Sequence, residues 1–175
     1  MNEHESRRLD FELPNVGQGS DTVQSASLAA GGECLLVVLL GSHYCSRSRE
    51  LVRTLAENCE EFRARSTTVV PVLPDIRERA RVWDRQYDLP FPLLADPAAD
   101  ADGPDEFGAF GPLQRAVDGL PAFVLCTAAD GTLRVDSTET EATLDVPLVD
   151  SVLEFVDRNR AVGSEVPSTN APADS

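Results

Sequence analysis

A chain of 175 residues, 42% of them hydrophobic, is long enough to bury one sizeable core. Its net charge of −15 and pI of about 4.4 oppose nucleic-acid phosphates and anionic membranes, so neither is expected as a partner. All 15 basic residues are arginine. An acidic, lysine-free chain fits a halophile, whose molar salt screens charge over roughly 3 Å; a GC-rich codon bias is the other source of Arg in place of Lys.

The longest apolar run, Leu35 to Leu40, falls well short of the ~20 residues that a membrane-spanning helix needs. Ser6 to Phe11 (SRRLDF) is superficially similar to a twin-arginine export signal. Asp10, Glu12 and Pro14 stand where an apolar stretch must follow, so a cytoplasmic location is expected. In that compartment four cysteines read as thiols, not structural disulfides. Cys34, Cys45, Cys59 and Cys126 contain no C-x-x-C pair, so neither a metal nor another cofactor is expected.

In chain order, residues 1–8 are polar and expected to be flexible, 9–160 form one domain, and 161–175 (AVGSEVPSTNAPADS) read as a disordered tail. Leu35 to Leu40, apolar at every position, predicts a central strand buried on both faces. Leu51, Leu55, Cys59 and Phe62 recur at helical spacing within Ser46 to Arg65. Thr67 to Leu73 is a second strand, placed at or near an edge by Pro71. Asp75 is expected to cap the next helix, with Glu78 bonding back to the Asp75 amide and Ile76, Ala80, Trp83 and Tyr87 facing inward. FPLLADP is a short extended piece, and the acidic segment after it reads as a solvated loop carrying two Phe anchors. It lacks calcium-loop spacing. Ala122 to Cys126 and Thr132 to Val135 are strands joined by an Asp-Gly turn, and Pro147 to Arg158 is a closing helix. Parallel βαβ at the front and an antiparallel hairpin behind predict an α/β domain, a mixed sheet with helices on both faces.

Cys45 falls where a buried strand ends and a helix begins, the place where reactive groups collect in such sheets. Unpaired amide N–H groups and the positive end of the helix dipole stabilise a thiolate there. Arg49 lies one turn on and can lean back toward the sulfur, and Arg47 adds charge if the first turn lets it swing round. Ser42 and His43 are placed to hydrogen-bond the sulfur or an incoming oxygen, although a loop histidine is more often simply solvated. The bland alternative, a half-buried filler, fits poorly with the polar, basic surroundings. Cys59 lies fourteen residues along one continuous helix, roughly 21 Å by its rise, which is out of disulfide range. Cys34 and Cys126 are equally remote, so these three are expected to be packing residues.

DFELPNV at Asp10 to Val16, GSHYCSRSREL, VVPVLPDIRERARVWDRQYDLPFPLLADP and GLPAFVLCTAADGTLR resemble, in that order, the peroxiredoxin-like redoxins. These form the alkyl hydroperoxide reductase and thiol-specific antioxidant branch of the thioredoxin fold. The resemblance implies a thioredoxin-like fold, with Cys45 as peroxidatic nucleophile and Leu120-Pro121 as the loop facing it through a cis peptide bond. Two positions depart from the family's pattern. Val38 stands where a proline is expected ahead of Ser42, and Leu120 stands where an arginine is expected; Arg115 and Arg49 are the available substitutes. In thioredoxin terms, Cys45-Ser46-Arg47-Ser48 is C-x-x-C with its second cysteine replaced by Ser48, which can bond a thiolate but not close a disulfide.

The implied activity is a one-cysteine thiol peroxidase, with a peroxide as substrate and an external thiol, protein or small molecule, as reductant. The pattern leaves room for a homodimer. Two alternatives stay open: a monothiol thiol-disulfide oxidoreductase, and a catalytically silent redoxin fold that binds a partner by strand addition along the Pro121 edge.

Overall fold

The structure, a computed structural model, describes residues 8–17, 19–30, 34–41, 46–97, 107–117, 120–129, 132–140 and 150–158. The tail at 161–175, residues 1–7 before Arg8, the Asp130-Gly131 turn and the start of the closing helix before Asp150 lie outside the described residues.

Strand β4 (Cys34–Leu39) organises everything else. Side chains alternate across a strand, so Leu36 and Val38, with Leu40 just beyond, enter one core, while Leu35, Val37 and Leu39 enter another. Both faces are therefore covered, as an uninterrupted apolar run requires. β4 pairs in parallel with β5 (Thr67–Leu73) and antiparallel with β7 (Ala122–Ala129). With β1 (Arg8–Leu9), β6 (Leu94–Ala95) and β8 (Thr132–Thr140), the sheet runs β1-β8-β7-β4-β5-β6. Pro71 sits near an edge: β5 is next to last, and β6 pairs only with its Val72 and Leu73.

The first core lies under α2 (Ser46–Glu57), α3 (Cys59–Arg63), α4 (Arg77–Tyr87) and the closing helix α6 (150–158), which contribute Leu51, Phe62, Trp83 and Phe155 among others. The second is covered by a hairpin of β2 (Glu12–Pro14) and β3 (Thr22–Gln24), by α5 (Gly111–Ala116), and by Phe107 and Phe110. A short helix α1 (Ser25–Ala30) lies against β7 and β8. The hairpin, β1, α1 and α5 are too short to announce themselves by periodicity.

Four expectations change. The single helix over 46–65 is two, interrupted at Asn58, whose side-chain Nδ2 donates to the Thr54 carbonyl at 2.8 Å alongside its own backbone N–H. Asp75 does not form the capping box: its amide donates to the Leu73 carbonyl, and its carboxylate accepts from the Ile76 amide and from Arg79, two residues ahead of the helix start at Arg77. Ile76, expected inside, is 45% exposed because it precedes the first helical turn. Asp96, expected in a solvated loop, is buried.

Candidate functional site

The candidate site lies at the C-terminal edge of the parallel strands β4, β5 and β6. β4 stops at Leu39, and the Leu40 amide donates to the Val72 carbonyl at 3.0 Å. Gly41 is buried, and its N–H donates to the Ser48 hydroxyl oxygen at 2.7 Å. Ser48 itself is 0% exposed, on the inner face of the first turns of α2. Ser42, His43 and Cys45 lie outside the described residues, bracketed by Gly41 and Ser46. Arg47 and Arg49 are exposed near the start of α2.

Across from this bracket runs the start of β7. Ala122 is the partner of Leu39, and antiparallel pairing brings the residues just before Ala122 alongside those just after Leu39. Pro121 is buried, Leu120 half-buried, and the peptide bond between them is cis. β7 has β4 on one side and β8 on the other, so strand addition along the Pro121 edge finds no open edge there. Val38 is an interior ladder residue, opposite Pro71 in β5 and Phe123 in β7. The Arg115 side chain lies outside the described residues.

β6 ends at the same edge. Asp96 follows it, 2% exposed, and its amide donates to the Leu73 carbonyl. One carboxylate oxygen accepts from the Ala109 amide at 2.7 Å and the other from the Phe110 amide at 2.8 Å. Burial raises the Asp96 pKa above its ordinary value, and the backbone N–H groups of Phe110, Ala109 and Gly108 oppose that rise. The carboxylate thereby holds the approach to α5, the helix that leads toward Pro121. Its sequence signal was an acid directly after an apolar run, with Phe107 and Phe110 as anchors. Asn15 plays a comparable part on the other side, accepting from Gly17 and Leu93 and donating to Ser20. Gly17 fits only as glycine, because a Cβ there would come within 2.4 Å of the Phe91 carbonyl oxygen.

Of the remaining cysteines, Cys59 lies in the first core and Cys126 in the second. Cys59 and Cys126 are buried and Cys34 is half-buried. Cys34 is registered with Thr127 and Leu35 with Cys126, so the Cys34 and Cys126 side chains leave opposite faces of the sheet. Burial pushes the Cys59 thiol above its ordinary value, with Arg63 lowering it and Glu60 raising it. Among the described residues no cluster of His, Cys, Asp and Glu is arranged to hold a metal ion, and no helix is long and apolar enough to cross a membrane.

The AhpC/TSA family matches residues 6–129. No curated protein matches the chain. Among solved structures, the peroxidoxin BcpB from Mycobacterium tuberculosis is 14% identical, with a TM-score of 0.64 over 90% of this chain and 98% of the other. A yeast mitochondrial 1-Cys peroxiredoxin is 12% identical, with a TM-score of 0.70 over 94% and 79%. A putative thiol:disulfide interchange protein, DsbE, from Chlorobium tepidum is 18% identical, with a TM-score of 0.60 over 89% and 99%. At these identities the likeness is one of fold, and that fold is thioredoxin-like.

Proposed function

The chain belongs to the AhpC/TSA family, and from that premise we propose that it is a thiol-dependent peroxidase of the one-cysteine type. The Cys45 thiolate attacks one peroxide oxygen, an S–O bond forms as the O–O bond breaks, and the departing oxygen leaves as alcohol or water after taking a proton. The resulting sulfenic acid is reduced by an external thiol: two thiols give up two electrons and become a disulfide, and the oxygen leaves as water. In this scheme Ser42 and Arg49 orient the peroxide and steady the thiolate, with His43, Arg47 and Ser48 as auxiliaries.

The observation that carries the proposal is the Leu39–Ala122 register. It brings the bracket around Cys45 and the cis Leu120–Pro121 bond to one edge of the sheet, where α2 begins. A helix N-terminus there favours a thiolate. We place the enzyme in the cytoplasm of a halophile, in keeping with its acidic, lysine-free composition.

A monothiol-disulfide oxidoreductase is the second reading. It is favoured by Ser48, which takes the place of a resolving cysteine and is buried and bonded to Gly41. Stopped-flow measurement of hydrogen peroxide consumption separates the two. Rapid consumption on adding thiol supports the peroxidase; exchange with disulfide substrates but no peroxide turnover supports the alternative.

A further inference from the structure

Asp96 is 2% exposed, and what faces its carboxylate is backbone: the N–H groups of Gly108, Ala109 and Phe110. Burying a carboxylate without a cation is costly. Capping the six-residue α5 does not require it, since a Ser or Asn at a helix end serves at far lower cost. What the position uses is a pair of acceptor oxygens. The Ala109 N–H donates to one at 2.7 Å and the Phe110 N–H to the other at 2.8 Å. An amide side chain here would set its own NH2 group against one of these donors.

The Asp96 backbone belongs to the opposite half of the site. Its N–H and that of Asp75 both donate to the Leu73 carbonyl, at 2.9 and 2.8 Å, where β5 ends. β5 is registered on β4 as far as Leu39, and the Leu40 N–H donates to Val72 of β5. Asp96 is thereby fixed to the strands that carry the bracket around Cys45. Its side chain fixes the segment that leads to the facing loop. Phe107, Phe110, Leu113, Val117 and Leu120 of that segment all lie against the second core. Apolar packing is non-directional, so it seats the segment without setting its position along the sheet. Hydrogen bonds are directional and do set it. Pro97 adds a bridge to Phe107, and a Cβ at Gly108 would come within 2.5 Å of the Pro97 carbonyl oxygen. From this anchor α5 runs only ~9 Å. The Leu39–Ala122 register then sets Leu120–Pro121 alongside the residues that follow Leu39.

We propose that Asp96 is a positioning residue for the chemistry of Cys45. By holding α5 to the end of β5, it sets where Leu120–Pro121 stands and so orients the substrate at the sulfur. It touches neither sulfur nor substrate. This role presupposes Cys45 as the reacting thiol, which the peroxidase and thiol-disulfide readings share, and adds a residue that neither of them uses.

Two variants of the full chain break the contact from opposite sides. Asp96→Asn keeps the volume and one acceptor oxygen. Ala109→Pro removes one of the two donors at an exposed residue. The Gly111 N–H donates to the Gly108 carbonyl at 3.1 Å, so Ala109 is the second residue of a turn, a place that accommodates proline. Three rates are measured for each variant and the parent. They are alkylation of Cys45 by iodoacetamide, which needs only an accessible thiolate, consumption of hydrogen peroxide with dithiothreitol as reductant, and exchange with oxidised glutathione. With folding verified by circular dichroism, alkylation should stay within about twofold of the parent while the substrate reaction falls about tenfold or more in both variants. A purely structural role scales every rate by the folded fraction; an unchanged ratio of substrate reaction to alkylation therefore overturns the proposal. A fall in one folded variant and not in the other also overturns it. Where one variant fails to fold, the other decides, and failure of both makes Asp96 a structural residue only. A parent that exchanges with glutathione but consumes no peroxide sinks the peroxidase reading alone, and the ratio is then read on the disulfide. A parent Cys45 that reacts with neither overturns the proposal together with both readings.

Discussion

Gly41 and Ser48 are joined by a buried hydrogen bond, the glycine N–H donating to the serine oxygen at 2.7 Å across the segment that holds Cys45. Ser48→Ala leaves a buried N–H without that acceptor, at a cost of about 1–3 kcal/mol. Urea unfolding should show the loss. If the bond also holds the segment for chemistry, peroxide reactivity at Cys45 should fall by more than the unfolded fraction explains.

Cys45 should alkylate with iodoacetamide faster than Cys34, Cys59 and Cys126 near neutral pH, because a helix N-terminus and nearby arginine lower a thiol's pKa. The raised pKa and burial of Cys59 work in the opposite direction. With one equivalent of peroxide, Cys45 should give a sulfenic acid that a dione reagent traps, with no disulfide inside the chain. Mass mapping reports both. First reaction at Cys59 or Cys126 would remove Cys45 as nucleophile, and a Cys45–Cys59 crosslink would replace the one-cysteine mechanism.

Asp96→Ala strips the Ala109 and Phe110 amides of their acceptors and should destabilise the domain by about 2–4 kcal/mol. The pH dependence has a definite sign. Because desolvation raises the folded-state pKa of Asp96 above 3.8, the native state binds more protons than the unfolded state between those values. The stability contributed by Asp96 therefore grows as pH falls through the raised pKa, and levels off below the ordinary one. The stability difference between the parent and Asp96→Asn should move in the parent's favour over that window. A difference independent of pH would contradict the burial of an ionisable group there.

Cys59→Ser should cost about 1–2 kcal/mol by burying a hydroxyl beside Phe62 and leave peroxide chemistry intact. A folded variant that has lost peroxide reactivity would make Cys59 part of the reaction.

Folding should depend on molar salt. Salt weakens the exposed ion pairs of Arg65 with Glu61 and Asp157, but such pairs contribute only about 0–1 kcal/mol each. The self-repulsion of a chain carrying −15 outweighs them, so thermal stability should rise with potassium chloride. A cooperative melt at the same temperature in dilute buffer would contradict the halophile origin.

What the sequence determined by itself is whatever depends on nearest neighbours along the chain. The unbroken Leu35–Leu40 run sets a strand buried on both faces, and the spacing of Leu51, Leu55 and Phe62 sets an apolar helical stripe. The motifs from DFELPNV to GLPAFVLC identify the family and a thioredoxin-like sheet. Tertiary structure decided what depends on residues distant in sequence. Asp96 became a buried acceptor only because the Ala109 and Phe110 amides fold back to it, and Ser48 became a buried partner only because Gly41 ends a strand against it. The short β2–β3 hairpin closes the second core through Leu13 and Val23, and no period in its own residues shows it. The interruption at Asn58 is a local matter, its side-chain amide joining its backbone N–H on the Thr54 carbonyl, and apolar spacing does not register it. Periodicity records which face of an element is buried; hydrogen-bond partners and strand neighbours are chosen by the packed chain, where an unmatched polar group is too costly to leave.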